Sequence, residues 1–120
     1  MRTLFLNLKV NFMKRLDNKV SIITGAGQGI GLATALKFAA EGAIVVVCDV
    51  KQAAVDAAVA QCQALGAQAV GFVMDVTQRD MVDAVVAQVK TQFGRIDVLV
   101  NNAGITQDAR LQKMPLEQFD

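Results

Sequence analysis

Glycines early in the chain have the spacing of a phosphate-binding turn. Residues 24–31 read TGAGQGIG, follow a short apolar run at 19–23 and precede a stretch of helical composition at 32–41. A strand that turns through glycines into a helix leaves unpaired backbone N–H groups and the positive end of the helix dipole at one point. The turn is therefore predicted to hold the phosphates of a nucleotide; the alternative is a tight turn without a ligand. Its glycines Gly25, Gly29 and Gly31 have the spacing G-x-x-x-G-x-G, whose first gap is longer than that of the common dinucleotide fingerprint G-x-G-x-x-G.

An acidic residue, Asp49, ends the second predicted strand. In a nucleotide-binding sheet, a carboxylate at this position accepts hydrogen bonds from the adenosine ribose hydroxyls and repels a 2′-phosphate. Neither Gln28 in the turn nor Val50 after the acid supplies the positive charge that a 2′-phosphate needs. We therefore expect NAD(H), with NADP(H) as the alternative cofactor; Asp49 could otherwise serve only as a helix cap.

Composition and charge argue against several other functions. The 120 residues carry 12 basic and 11 acidic side chains, and no basic cluster marks a nucleic-acid partner. Every apolar run is too short to span a bilayer, and the first residues lack the pattern of an export signal. The cysteines, Cys48 and Cys62, are isolated and histidine is absent. We therefore expect buried thiols, no metal site, no membrane contact and a cytoplasmic location.

Strand-like and helix-like segments alternate along the chain, and the helical ones end at glycines. The valine-rich run at 43–48 is typical of a strand covered on both faces. Residues 77–80, TQRD, are close to a capping box and predict that Thr77 starts the third helix. The predicted strands are 20–24, 43–48, 69–74 and 96–100, and the predicted helices are 28–41, 52–65 and 77–93, with the first turn of another helix at 115–120.

This alternation predicts an α/β fold, a doubly wound parallel sheet of the Rossmann type with strand order 3-2-1-4. The second half of such a sheet has no counterpart, so residues 16–120 are expected to be the N-terminal part of a dinucleotide-binding domain. Its fourth strand would have an unpaired edge carrying Ile96, Val98 and Val100. We expect this part alone to be marginally stable and prone to associate.

Residues 1–15 show no glycine, turn signal or helical period that ties them to this sheet. We expect a disordered N-terminal extension, and Met13 is an alternative first residue to Met1. The competing interpretation is a loose edge strand, because leucines recur at every second position between 4 and 8.

Three motifs in this order resemble the short-chain dehydrogenase/reductase family. They are the glycine turn at 24–31, the pair Asp75 and Val76 after the third strand, and the sequence NNAG at 101–104. The resemblance covers residues 16–120 and implies a nucleotide-binding fold that carries NAD(H) or NADP(H).

The resemblance also implies which residues hold the cofactor. Backbone groups of the glycine turn hold the pyrophosphate, Asp75 accepts a hydrogen bond from the adenine amine, and the NNAG motif lines the nucleoside side. The residues alone leave alternatives open, because Asp75 could simply end a strand and the asparagines could form a side-chain-bonded turn. The predicted cofactor-binding residues are Gly25, Gln28, Gly29, Ile30, Gly31, Asp49, Asp75, Val76, Asn101, Ala103 and Gly104.

Within the family, residues 104–114 are similar to the 3-oxoacyl-[acyl-carrier-protein] reductases and acetoacetyl-CoA reductases of fatty-acid metabolism. The resemblance implies reduction of a carbonyl to a hydroxyl on a small-molecule or carrier-bound substrate, and a homo-oligomer for the complete protein. The family's catalytic serine and Tyr-x-x-x-Lys pair have no match, since the chain contains no tyrosine. We therefore predict no catalytic residue here. The alternatives are a silent nucleotide-binding fragment, or a dehydrogenase for a sugar, steroid or polyol.

Overall fold

The computed structural model describes residues 15–103, which build a parallel sheet with helices on both faces. The predictions for residues 1–14, for Gly104 and for a helix at 115–120 lie outside this range. The strands are β1 (Val20–Thr24), β2 (Ile44–Asp49), β3 (Ala69–Val73) and β4 (Val98–Asn101), and the helices are α1 (Gly29–Ala40), α2 (Gln52–Ala64) and α3 (Arg79–Phe93).

The sheet has the order β3-β2-β1-β4, and every described pair of strands is parallel. The predicted order 3-2-1-4 is therefore confirmed. Strand β1 is flanked by β2 on one side and by β4 on the other, so the order of the strands reverses beside β1. Ligands of open parallel sheets bind outside the carboxyl ends of the strands at such a reversal.

Strand β2 is the centre of two apolar cores, one on each face of the sheet. Val45 and Val47 pack with α1 and α2, whereas Val46 and Cys48 pack with α3. All four are fully buried, and burying a valine side chain contributes about 1.5–3 kcal/mol. The continuous valine run that predicted a strand covered on both faces is explained by this double packing.

The beginning of α3 corrects one prediction. The N-cap of α3 is Gln78 rather than Thr77, and no side-chain hydrogen bond caps the helix. Thr77 donates its hydroxyl to Asp75 Oδ1 instead, at 2.6 Å. The predicted capping box is therefore wrong: the helix begins one residue later than expected, and the Thr77 side chain bonds to the carboxylate upstream of it.

Strand β4 begins at Val98, two residues later than predicted. The residues just before it instead form hydrogen bonds that join the amino ends of β1 and β4. Asp97 Oδ2 accepts hydrogen bonds from the Val20 amide and from Arg95 Nε, both at 2.8 Å. The Val20 amide foremost, and then Arg95, lower the pKa of Asp97 below its ordinary value. A hydrogen bond of Asp97 thus connects β1 to the segment before β4, just ahead of the first paired residues of the two strands.

The exposed apolar side chain of β4 also differs from expectation. Leu99 is 65% exposed, while the predicted edge residues Ile96, Val98 and Val100 are half-buried. Val100 packs against the core under α1, and Ile96 packs against the core under α3. Side-chain alternation along β4 places Leu99 on the opposite face from Val98 and Val100, where it stays largely exposed.

Candidate functional site

A cleft of about 500 Å³ opens at the carboxyl ends of the strands. Segments that follow β1, β2, β3 and β4 all contribute to it, so motifs far apart in the sequence meet at one place. The cleft is lined by Gly25, Gln28, Gly29, Ile30, Asp49, Val50, Met74, Asp75, Val76, Asn102 and Ala103.

The glycine turn brings the start of α1 close to the end of β1. Gly25 and Gly29 adopt positive φ angles of 62° and 60°, which side chains rarely tolerate. A Cβ atom on Gly31 would lie 1.9 Å from the Gly25 carbonyl oxygen and 2.7 Å from Asn102 Nδ2. Gly31 does not line the cleft; it permits the close approach of helix and strand that shapes it.

The first turn of α1 has the chemistry of an anion site. The Leu32 amide donates to the carbonyl of the N-cap residue Gln28 at 3.2 Å, so the amides before Leu32 have no partner inside the helix. Gln28 caps the helix without a side-chain hydrogen bond, and the first turn contains no acidic residue. These amides and the helix dipole therefore suit a phosphate.

Asp49 is held at both oxygens by backbone amides. Oδ2 accepts from Gly27 N at 2.7 Å and Oδ1 accepts from Val50 N at 2.6 Å. The N-cap of α2 is Lys51, and no side chain caps that helix, so the interpretation of Asp49 as only a helix cap does not hold. Within residues 15–103 Asp49 forms no ion pair, and each oxygen keeps a lone pair for a ligand.

Asp75 lies beside Asp49 because the ends of β2 and β3 are joined. The Met74 amide donates to the Asp49 carbonyl at 2.9 Å, which sets the two acids at one mouth of the cleft. Asp75 Oδ1 accepts from the Thr77 hydroxyl at 2.6 Å and from the Thr77 amide at 2.9 Å. The hydroxyl first, and then the amide, lower the pKa of Asp75 below its ordinary value.

The NNAG motif ties β4 to the glycine turn. The Ala103 amide donates to Thr24 Oγ1 at 3.0 Å, and Thr24 Oγ1 donates to Asn101 Oδ1 at 3.2 Å. Asn102 Nδ2 lies 3.5 Å from the Gly25 carbonyl oxygen, at the limit of hydrogen bonding. These contacts connect the loops after β1 and β4.

The structure separates the predicted residues of this motif. Ala103 lines the cleft, Asn101 is exposed and braces Thr24 instead, and Gly104 lies beyond the described residues. Sequence reasoning did not select Asn102, which is buried at 7% exposure, or Met74. Alternation along β4 is the signal that could have found Asn102, since it continues the inward-facing series of Val98 and Val100.

Other kinds of site do not occur in the part of the chain that the structure describes. Residues 15–103 contain no group of His, Cys, Asp or Glu side chains able to hold a metal ion, and no helix able to cross a membrane. Cys48 and Cys62 are free and buried. Burial, aided by the charge of Asp49, raises the pKa of Cys48 to about 12, so this thiol stays protonated at neutral pH.

Comparisons with known proteins identify the family of the chain. The family model for short chain dehydrogenases matches residues 19–120. A 3-oxoacyl-[acyl-carrier-protein] reductase, FabG, of Thermotoga maritima is 48% identical over 106 residues, covering 88% of this chain and 43% of that protein.

Solved structures give the same result. A hydroxysteroid dehydrogenase from Escherichia coli has a TM-score of 0.71 and 42% identity, over 73% of this chain and 37% of the other. An NAD⁺-bound xylitol dehydrogenase has a TM-score of 0.69 and 40% identity, over 71% of this chain and 33% of the other. The chain thus spans less than half the length of these relatives, and it belongs to the short-chain dehydrogenase family.

Proposed function

We propose that the cleft binds NAD(H) and that the complete protein is an oxidoreductase. The observation that carries the proposal is that one cleft contains the start of α1, which has no side-chain cap, together with the carboxylates of Asp49 and Asp75, which are held by hydrogen bonds. Amides near Gly29, Ile30 and Gly31 would hold the pyrophosphate, since a phosphate satisfies the donors that α1 leaves unpaired.

Asp49 would bind the adenosine ribose and select against a 2′-phosphate. The Gly27 and Val50 amides fix its carboxylate, whose remaining lone pairs are acceptors for ribose hydroxyls. No ion pair within residues 15–103 neutralises this charge, so a 2′-phosphate would be repelled. This supports NAD(H) over NADP(H).

The adenine and nucleoside portions would occupy the remaining walls of the cleft. Asp75 and Val76 would face the adenine, with the Asp75 carboxylate accepting from the exocyclic amine. Ala103 lines the neighbouring wall, and Asn101 acts behind it through Thr24. Gly104 completes the proposed set.

A 3-oxoacyl thioester is the substrate that we propose for the complete protein. Bound NADH supplies the hydride that reduces the substrate carbonyl to a hydroxyl. The described residues hold and orient that cofactor, and none of them supplies the proton. The support is the 48% identity to a 3-oxoacyl-[acyl-carrier-protein] reductase over 43% of its length. Similarity to hydroxysteroid and xylitol dehydrogenases favours a steroid or a polyol as the second candidate.

Direct titration tests the cofactor proposal. NADH should bind this chain saturably, and AMP should compete with it, because the proposed contacts lie on the adenosine half. Guanosine monophosphate is the matched control and should compete poorly, since its carbonyl faces Asp75 where adenine has an amine. Absence of saturable NADH binding would contradict the proposal.

The substrate proposal needs the longer protein. Acetoacetyl-CoA should be reduced by NADH with a higher kcat/KM than a ketosteroid or a keto sugar assayed in the same way. Turnover of the steroid or sugar without turnover of the thioester would replace the leading candidate. No turnover of any carbonyl, with NADH binding intact, would favour a silent nucleotide-binding protein.

A further inference from the structure

We propose that Thr77 is a positioning residue that fixes the Asp75 carboxylate and thereby makes the cleft selective for adenine over hypoxanthine. This inference rests on the proposed function, because it concerns the base of the bound dinucleotide. Thr77 itself does not line the cleft, whereas Asp75 does. Its effect on the ligand must therefore pass through Asp75.

The geometry places both Thr77 donors on one carboxylate oxygen. The hydroxyl and the amide of Thr77 bond to Asp75 Oδ1 at 2.6 Å and 2.9 Å. The described contacts thus occupy Oδ1 twice and leave Oδ2 as the oxygen with spare acceptor capacity. A carboxylate fixed in this way presents one defined acceptor to the cleft.

The surrounding turn keeps Thr77 in place. The Gln78 amide donates to the Asp75 carbonyl at 2.9 Å, which closes the turn between β3 and α3. Thr77 lies one residue before the N-cap of α3, and its hydroxyl donates to the carboxylate. Without this hydroxyl, a single amide would hold Oδ1, and the carboxylate could rotate about its broad terminal torsion.

The chemical contrast between two bases makes this positioning measurable. Adenine carries an exocyclic amine, which donates a hydrogen bond to a carboxylate oxygen. Hypoxanthine carries a carbonyl at the same ring position, and two acceptors that face each other repel. A fixed Oδ2 distinguishes the bases strongly, whereas a rotating carboxylate distinguishes them less.

The test compares NADH with reduced nicotinamide hypoxanthine dinucleotide by equilibrium binding. The wild-type chain should prefer NADH, and Thr77→Val should lower that preference roughly fivefold, as expected for one lost hydrogen bond. Thr77→Ser keeps the hydroxyl and should retain the preference. In an Asp75→Ala background, Thr77→Val should change nothing further, because its effect passes through Asp75.

A second measurement is independent of ligand. Nuclear magnetic resonance titration of the Asp75 carboxyl should show a higher pKa in Thr77→Val than in wild type or Thr77→Ser, since the hydroxyl is the larger of the two Thr77 contributions that lower it. The NADH-to-NADPH preference should stay constant in all three proteins, because Asp49 sets it.

Two outcomes overturn the inference in different ways. If wild type binds NADH and Thr77→Val keeps the full preference for adenine and an unchanged Asp75 pKa, Thr77 does not position the carboxylate, and the proposed function stands. If wild type binds neither dinucleotide, the proposed function fails and the inference fails with it.

Discussion

Two aspartates at opposite ends of the sheet are anchored in similar ways but differ in what surrounds their charge. Asp49, at the carboxyl end of β2, accepts from the Gly27 amide at 2.7 Å; Asp97, before β4, accepts from the Val20 amide at 2.8 Å. The oxygen of Asp97 that accepts from Val20 also bonds to Arg95 Nε. Asp49 lines the cleft and forms no ion pair within residues 15–103.

The difference separates a structural carboxylate from one that we propose binds the cofactor. A cation beside Asp97 balances its charge, and its hydrogen bonds join the starts of β1 and β4. Asp49 keeps its charge and its spare lone pairs at the edge where parallel sheets bind ligands. Hydrogen bonds from backbone amides therefore do not by themselves distinguish a binding carboxylate from a structural one. Asp49 differs from Asp97 because it lines the cleft and has no ion pair within residues 15–103.

Among substitutions at the carboxyl end of the sheet, Gly31→Ala should give the largest loss of NADH affinity. A Cβ 1.9 Å from the Gly25 carbonyl oxygen would force α1 away from β1 and displace the amides proposed to hold the pyrophosphate. NADH affinity should fall on the order of 100-fold, as expected when one or two hydrogen bonds to a charged phosphate are lost. Gly29→Ala is the stability control in the same turn: its Cβ meets no protein atom within 4 Å, so the ligand-free chain should lose only the strain of a positive φ, about 1 kcal/mol. Equal losses of stability in the ligand-free variants would contradict the steric account.

Asp97→Ala should act at the opposite end and on stability alone. It removes the tie between β1 and β4 and leaves Arg95 without its carboxylate, so the thermal midpoint should fall by roughly 5 °C. The ratio of NADH to NADPH affinities should be unchanged. A changed ratio would mean that the two ends are coupled and that the comparison is wrong.

Gly27→Ala should disturb the anchoring of Asp49 without removing its charge. The added Cβ would lie 2.7 Å from Asp49 Oδ2 and 2.6 Å from Ala54 Cβ. We expect NADH affinity to fall roughly tenfold, because the ribose acceptor is displaced. Adding Ala54→Gly relieves the second contact only, so it should restore stability more than affinity. Full recovery of affinity in that double variant would show that α2, and not Asp49, transmits the effect.

Acid should weaken the hydrogen bonds of Asp97 that join β1 to the segment before β4, and this should be the smallest of the predicted effects. The pKa of Asp97 lies below its ordinary value of 3.8 in the folded chain, so its stabilisation is complete above that value and is lost as the pH falls through the lower folded one. Stability measured from pH 5 to pH 2 should therefore decline less steeply in Asp97→Asn than in wild type. Identical slopes would show that this carboxylate does not contribute.

The sheet and most of the cleft could be predicted because local signals agree with the fold. The valine run of β2 and the glycine stops after the helices mark the elements without reference to tertiary contacts. The role of Asp49 could not be decided from sequence, since a cap and a ribose ligand both need an acid after β2. Its bonds to Gly27 and Val50, which come from the three-dimensional arrangement, decide against the cap.

The sequence did not show which of two neighbouring residues takes a given position. Thr77 fitted a capping position, but α3 is capped by Gln78, and the Thr77 hydroxyl donates a charge-assisted hydrogen bond to the Asp75 carboxylate. Asn101 was chosen over Asn102 because a motif does not show which of two adjacent side chains faces inward. Pairing of β4 with β1 fixes that choice and places Asn102 in the cleft.

The ratio of NADPH to NADH dissociation constants in wild type and in Asp49→Asn tests the central claim most directly. Asn keeps the size of the side chain and removes its charge, and Asp97→Asn is the matched control. We expect wild type and Asp97→Asn to bind NADH at least tenfold more tightly than NADPH, on the order of one lost charge-assisted contact. In Asp49→Asn the ratio should approach one. An unchanged ratio in Asp49→Asn would contradict the assignment of this carboxylate to the cofactor.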